Sequence, residues 1–323
     1  MAWFLGVDGG QTSTIAAIGD EVGRVVGKGV AGPCNHVSGP GGRERFLRAL
    51  GESVRAALAQ ARLDPKHLRF TAACLGFSGG PDDKADLVRE FLHAEVLKVT
   101  HDAEVALSGA MAGEPGVIVI AGTGSIAYGR AADGRTARAG GWGYLFGDEG
   151  GAFDLTRQAL RAALRAEEGW GPPTGLRDRL LELTGARTAN ELLHRFYTTE
   201  FSRDQIAALS VIVDELARKG DRVAMEIIER AGQQLAELGL AVRQQLFARD
   251  ELTRISGVGG VFHCALLREH FIRCVCAAPN TSYVEPQFEP ALGALIEAYR
   301  LVGLRVLPRI EEPSVTGSAE GML

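Results

Sequence analysis

Short apolar runs separated by glycine-rich turns dominate the first part of the chain. Residues 3–8, 15–18 and 24–30 are apolar runs joined by turns, which predicts an antiparallel meander of three strands. Residues 43–61 place apolar side chains three or four positions apart, which predicts an amphipathic helix. The pattern then predicts a strand at 70–77, a helix at 82–94, a strand at 96–100 and a helix at 103–111.

The second part of the chain begins the same way. Residues 117–121 form a β-branched strand, and a hairpin leads to strands on both sides of an Asp133-Gly134 turn. Helices are predicted at 149–168, 176–184, 189–196, 203–219 and 221–247, followed by a strand at 253–257, a helix at 261–271, a strand at 282–285 and a helix at 290–301. Because each part opens with a glycine hairpin at a strand tip, we expect an internal duplication, with two sheets facing across a cleft.

Composition limits the classes of function. The 323 residues are 46% hydrophobic and 23% charged, enough for one large or two medium domains. A net charge of −5 without a basic stripe argues against nucleic acid as a partner. The chain shows no apolar run of about 20 residues and no basic leader, so we expect a cytoplasmic protein without a membrane partner.

The five cysteines indicate reduced thiols. Their number is odd, and nothing in the sequence points to secretion. Cys274 and Cys276 are predicted to lie on a strand, where they would point to opposite faces and could not easily share a metal ion. None of the thiols is expected to fall near the glycine-rich motifs.

The glycine hairpins carry the first functional hypothesis. Gly122-Thr123-Gly124-Ser125 follows an apolar strand, and its glycines and hydroxyls would let backbone amides approach an anion. A plain glycine hairpin is the alternative. The loop runs from strand to strand, which disfavours a Rossmann dinucleotide site, and no P-loop motif occurs.

Three aspartates are candidates for catalysis and binding. Asp8 ends the first strand beside glycines, where a Mg²⁺-nucleotide site needs one or two carboxylates. Asp102 follows a strand and precedes a helix, a position that suits a general base, although a helix N-cap is equally compatible. Asp148 could also be a helix N-cap, but the glycines around it favour a binding site.

The order of these motifs resembles the N-acetylglucosamine kinases and the related BadF/BadG/BcrA/BcrD ATPases of the actin-like, sugar-kinase superfamily. The matching segments are VDGGQTST, LGFSGG, HDAEVAL, IAGTGSIAYG, GGWGYLFGDEGGAFDL, ISGVGGVF and PALGAL, between residues 7 and 295. The resemblance implies an α/β, actin-like ATPase (ribonuclease H-like) fold with two βββαβα-type domains that close on ATP and a sugar. Residues 1–115 with helix 290–302 would form one domain, 116–289 the larger domain with a helical insertion, and 311–323 a disordered tail.

The resemblance also implies an activity: transfer of phosphate from Mg²⁺-ATP to the primary (6-) hydroxyl of an amino sugar or hexose, with N-acetylglucosamine favoured, by a homodimeric enzyme. An ATP-hydrolysing activator of a partner dehydratase or reductase is the alternative. Asp102 would be the general base and Asp8 the metal ligand. The nucleotide-binding residues would be Gly9, Gly10, Gln11, Thr12, Ser13, Gly122, Thr123, Gly124, Gly257, Gly259 and Gly260. The sugar-binding residues would be Asn35, Ser78, Gly79, Asp102, Ser125, Gly141 and Asp148, and Val37 stands where the family has a tryptophan.

Overall fold

The structure, a computed structural model, describes residues 1–34, 37–64, 69–198 and 200–310. The chain divides into two compact units: residues 1–113 with the segment from Phe288 onward, and residues 114–287. Asn35, predicted to bind sugar, and the predicted disordered tail 311–323 lie outside the described residues.

The first unit is a five-stranded mixed sheet with helices. Its elements up to residue 110 are β1 (Trp3–Gly9), β2 (Thr14–Asp20), β3 (Val25–Ala31), α1 (Gly42–Ala61), β4 (Phe70–Phe77), α2 (Ala85–Phe91), β5 (Ala94–His101) and α3 (Asp102–Ala110). The strand order is β3-β2-β1-β4-β5. The hairpin strands β1, β2 and β3 pair antiparallel, whereas β1, β4 and β5 pair parallel.

The second unit repeats this plan. Its elements are β6 (Gly116–Ala121), β7 (Ser125–Arg130), β8 (Thr136–Gly140), α4 (Ala152–Glu167), α5 (Leu176–Thr184), α6 (Ala189–Tyr197), α7 (Arg203–Ala208), α8 (Val211–Arg218), α9 (Arg222–Leu246), β9 (Thr253–Val258), α10 (Ala265–Ala277) and β10 (Thr281–Tyr283). The order β10-β9-β6-β7-β8 matches the first sheet strand for strand, with the same parallel and antiparallel pairs.

The last helix, α11 (Pro290–Leu301), returns to the first unit. Two glycines allow this helix to pack backbone against backbone. A Cβ on Gly6 of β1 would overlap the amide nitrogen of Leu295, and a Cβ on Gly293 would overlap the carbonyl oxygen of Val105 in α3. The helix is therefore part of the core of the first unit.

The amphipathic pattern of residues 43–61 produces α1 as predicted. Phe46, Leu50 and Val54 are buried on one face, which covers the first sheet. Close approach to β3 again depends on glycine, because a Cβ on Gly29 would overlap the carbonyl oxygen of Ser53.

Several predicted helix limits were wrong. The helix predicted at 82–94 is only α2, since Ala94 already belongs to β5. The helix predicted from residue 149 begins at Ala152, because Asp148 and Gly150 have left-handed backbone angles, with φ of +64° and +72°. The helix predicted at 203–219 is two helices, α7 and α8, separated at Leu209 and Ser210.

The segment after β9 also differs from the prediction. A short 3₁₀ turn, Gly260–His263, comes first, and α10 then continues to Ala277. Cys274 and Cys276 therefore lie on a helix and not on a strand. Positions two apart on a helix still point in different directions, so the two thiols do not form a common face.

Candidate functional site

In the first unit, three parallel strands end side by side. Gly9 at the end of β1 pairs with Phe77 at the end of β4, and Phe77 pairs with His101 at the end of β5. Ser78 and Asp102 directly follow these positions. The register thus brings the first hairpin, Ser78 and Asp102 to one edge of the sheet.

Asp102 is the first residue of α3 and is not its N-cap. The N-cap is His101, whose side chain does not cap the helix. The Asp102 carboxylate accepts the amide N–H of Ala103 at 2.8 Å and also interacts with the Ser78 hydroxyl. Burial raises the pKa of the Asp102 carboxyl, outweighing these hydrogen bonds and the nearby His101.

Asp8 lies among other carboxylates. Burial raises the pKa of the Asp8 carboxyl to about 7, with further contributions from the negative charges of Asp102 and Glu289. Glu289 immediately precedes α11 and forms an ion pair with Lys28 at 2.7 Å. Sequence reasoning missed Glu289, because this residue lies outside the predicted motifs and is about 280 positions from Asp8 in the chain.

The first hairpin leaves backbone donors free. The Gly10 amide donates to the Ser13 carbonyl at 2.9 Å, and the Gly10 carbonyl accepts from the amide of Cys34 at 3.2 Å. The amides of Gln11 and Thr12 donate to no acceptor in the described chain. At the strand end, Gly9 packs against the ring of Phe77, where a Cβ would not fit.

The loop after β4 contains a buried cation that sequence reasoning also missed. Lys84 is 2% exposed, and its ammonium donates to the Gly80 carbonyl at 3.2 Å and to the Asp83 carboxylate at 2.6 Å. Gly79 and Gly80 have φ of +78° and +85°. Lys84 therefore holds the left-handed turn that follows Ser78, whose hydroxyl accepts a hydrogen bond at 3.4 Å from Gln11.

In the second unit, the hairpin Gly122–Gly124 is bound to the N-terminus of α4. The amides of Ala152 and Phe153 donate to the carbonyls of Gly122 and Thr123 at 2.8 and 3.1 Å. Within the described residues, the amides of Thr123 and Gly124 have no acceptor. Two carbonyls of the hairpin therefore accept hydrogen bonds from the helix N-terminus, and two of its N–H groups remain available to a ligand.

Asp148 is held in a buried, left-handed position beside this hairpin. It is 4% exposed, its Oδ1 accepts the Ser125 amide at 3.4 Å, and its Oδ2 pairs with Arg203 Nη2 at 2.6 Å. The guanidinium of Arg203 also lies 5.3 Å from the ring centre of Tyr144. The Ser125 hydroxyl donates to the carbonyl of Glu149 at 2.7 Å. Arg203 is a further residue that the sequence did not point to.

The remaining predicted glycines have different surroundings. Gly141 turns the chain after β8 with a φ of +73°. Gly257 packs against the ring of Phe262, and Gly259, with a φ of +107°, packs against the backbone of β6. A Cβ on Gly260 would meet no atom within 4 Å, so Gly260 is the position in this group with open space in front of it.

One cysteine lies closer to the motifs than the sequence predicted. Cys34 is fully buried beside the first hairpin, and burial raises the pKa of its thiol to about 12. Such a thiol is unreactive at neutral pH. In the described parts of the chain, no group of three or more His, Cys, Asp and Glu side chains is arranged to hold a metal ion.

None of the described helices is both long and apolar enough to cross a membrane.

Comparison with known sequences identifies the family. The sequence model of the BadF/BadG/BcrA/BcrD ATPase family matches residues 5–298. The chain belongs to this family. Its two repeated sheets form the actin-like ATPase fold, which confirms the predicted fold class.

Known proteins are similar to this chain over nearly its whole length. The N-acetylmuramic acid/N-acetylglucosamine kinase of Clostridium acetobutylicum is 30% identical over 92% of this chain and 98% of its own length. The N-acetyl-D-glucosamine kinase of Dictyostelium discoideum is 28% identical over 91% and 97%. Among solved structures, a candidate N-acetylglucosamine kinase from Chromobacterium violaceum superimposes with a TM-score of 0.75 at 26% identity, covering 92% of this chain and 98% of that protein.

Proposed function

We propose that this protein is an ATP-dependent sugar kinase that phosphorylates the primary (6-) hydroxyl of an amino sugar or hexose, with N-acetylglucosamine as the favoured acceptor. The observation that carries the proposal is the Asp102 carboxyl, half-buried directly after a strand end and with a raised pKa. It occurs in a chain 30% identical to a kinase of amino sugars over 98% of that relative's length.

Asp102 would accept the proton of the sugar hydroxyl while the hydroxyl oxygen attacks the γ-phosphorus of ATP and ADP leaves. A base works best when its pKa lies near the working pH, and burial shifts the Asp102 carboxyl in that direction. The amide of Ala103 holds one carboxylate oxygen at 2.8 Å and so fixes its orientation. Phosphoryl transfer otherwise depends on positioning and on charge neutralisation.

The two hairpins would bind phosphate oxygens of ATP. The amides of Gln11 and Thr12 in the first unit, and of Thr123 and Gly124 in the second, have no described acceptor. Successive backbone N–H groups in a turn can form an anion-binding concavity. Gly259 and Gly260, after β9, would approach the adenosine part.

A magnesium ion that takes a single carboxylate from the protein fits Asp8 in the first unit. Asp8, near Asp102 and Glu289, has a pKa raised to about 7, and a divalent cation would offset this repulsion. Mg²⁺ usually takes one or two carboxylates and fills its other positions with water and phosphate. Asp8 would hold the ion, which neutralises negative charge on the phosphates. Glu289 keeps its own ion pair with Lys28.

The sugar would be bound through hydrogen bonds. The residues proposed for these contacts are Ser78, Gly79, Asp102, Ser125, Gly141 and Asp148; Asn35 remains part of the proposal. Arg203 holds the Asp148 carboxylate at 2.6 Å, so Asp148 would accept sugar hydroxyls from a fixed position.

The decisive experiment measures ADP release with Mg²⁺-ATP against a panel of sugars, comparing the wild type with Asp102→Asn. We expect sugar-dependent release in the wild type and a loss of about 10²–10⁴-fold in kcat in the variant. ATP binding, measured by calorimetry, should be unchanged. Asp133→Asn, in the exposed turn between β7 and β8, is the matched control and should keep full activity. Near-normal turnover by Asp102→Asn would remove Asp102 from the mechanism.

Family membership supports a second candidate, an ATP-hydrolysing activator of a partner dehydratase or reductase. The same assay separates the two. ADP release that ignores every sugar and rises only with a partner protein would favour the activator. A homodimer is expected for the kinase, and light scattering on the purified protein tests it.

A further inference from the structure

A small cavity lies within the second unit, between one face of α4 and one face of α9. Its volume is about 220 Å³. Buried or partly buried apolar side chains, among them Leu155, Val223 and Ala231, form its floor. The rim carries Arg161 and Arg165, one turn apart on α4, and Arg230 on α9. The cavity therefore combines an apolar floor with a cationic rim.

The carboxylates in the cavity wall form ion pairs with other arginines. Asp154 pairs with Arg157 at 2.6 Å and also accepts the amide of Gly150 at 3.1 Å. Glu226 pairs with Arg222 at 3.2 Å. Neither Arg157 nor Arg222 lines the cavity.

The three rim arginines have no such partner. Within the described chain, no carboxylate lies within ion-pairing distance of Arg161, Arg165 or Arg230. Arg165 stacks over the ring of Trp170 at 4.7 Å, a contact that fixes the guanidinium without neutralising it. Like charges one turn apart on a helix disfavour the helix. The rim therefore carries three positive charges that no described carboxylate balances. A bound anion would balance them.

We propose that this cavity binds a small organic phosphate monoester, with the phosphate at the arginine rim and the carbon skeleton on the apolar floor. A phosphate carries nearly two negative charges at neutral pH, and guanidinium groups match its oxygens in pairs. Three uncompensated cations fit such a dianion better than a single carboxylate. The volume is below the range of about 300–1,000 Å³ for ordinary ligand pockets, which limits the ligand to the size of a sugar phosphate.

Calorimetry on the full-length protein tests the site without using turnover. The protein is first saturated with Mg²⁺-ADP and N-acetylglucosamine, so that the proposed catalytic residues are occupied. It is then titrated with glucosamine 6-phosphate at a fixed ionic strength, and the titration is repeated at higher NaCl concentrations. We expect saturable binding whose affinity falls as the NaCl concentration rises. Inorganic phosphate, which lacks the carbon skeleton, should bind more weakly, and glucosamine, which lacks the phosphate, should not bind.

The double variant Arg161→Gln/Arg230→Gln should bind glucosamine 6-phosphate at least about tenfold more weakly, because two charge-assisted contacts are lost. Both side chains are exposed and lack ion pairs, so the variant should unfold at the wild-type temperature. Arg187→Gln is the matched control: its side chain is 89% exposed and does not line the cavity. Equal affinity of the double variant and the wild type, or an equal loss in Arg187→Gln, would overturn the proposal.

Discussion

Replacing Asp8 by asparagine should stabilise the nucleotide-free, magnesium-free protein above neutral pH, even though Asp8 belongs to the proposed metal site. The wild-type carboxyl has a pKa raised from 3.8 to about 7, chiefly by burial and then by Asp102 and Glu289. Asparagine has nearly the same shape and no charge. It removes the penalty of holding a negative charge at this position.

The sign and size of the change in the free energy of unfolding follow from proton linkage. Because the folded pKa exceeds the unfolded one, the folded state holds more protons between pH 4 and 7, and stability falls across that window. At 1.36 kcal/mol per pKa unit, the full effect is about 4 kcal/mol. This is an upper limit, since Asp8 keeps some exposure to solvent. Above pH 7 the wild type has lost this stability completely. The difference in the free energy of unfolding between the wild type and Asp8→Asn should then be constant.

The assay is urea unfolding in EDTA from pH 5 to 8.5, on the wild type and Asp8→Asn. The curve of the wild type should descend toward pH 7 more steeply than that of the variant, and adding Mg²⁺ should recover stability in the wild type alone. Asp133→Asn is the control: Arg135 lowers the pKa of the Asp133 carboxyl, so the contribution of Asp133 to stability changes with pH only below about pH 4 and is constant across the measured range. Parallel curves for the wild type and Asp8→Asn between pH 5 and 8 would refute the reasoning.

Three further substitutions test single contacts. Arg203→Met leaves the buried Asp148 carboxylate without its cation and should lower the free energy of unfolding by about 1–3 kcal/mol, measured in urea, and raise KM for the sugar. Lys84→Met removes the buried ammonium and should cost about 1–3 kcal/mol by the same measurement. Gly6→Ala forces a Cβ into the backbone of α11 and should cost about 3 kcal/mol or more, seen as a lower Tm. Gly32→Ala, where a Cβ meets no atom within 4 Å, should have little effect and is the control for Gly6→Ala.

Much of the fold could be predicted from local patterns. The alternation of apolar runs with glycine turns located the ten strands of the described residues, and the apolar face of residues 43–61 located α1. The prediction of helix ends was less accurate where the backbone angles of single residues determine where the helix begins. The left-handed angles at Asp148 and Gly150 delay α4 to Ala152, and an apolar pattern contains no sign of that.

The candidate site was predicted in part. The motifs pointed to Asp8, Ser78 and Asp102, and the strand register places the last two and the end of β1 at one edge of the first sheet. Their roles remain predictions. Glu289 and Arg203 carried no signal, because the charge interaction of Glu289 with Asp8 and the ion pair of Arg203 with Asp148 join positions far apart in the chain.

By itself, the sequence determined the repeated strand plan, the two glycine hairpins and the acids at strand ends, because each depends on neighbours within a few residues. Only the tertiary structure decided that Arg203 pairs with Asp148, that Glu289 lies near Asp8, and that three arginines of α4 and α9 share one cavity. These contacts depend on how helices and strands pack. Packing is set by the shapes of many side chains together, which no local stretch of sequence contains.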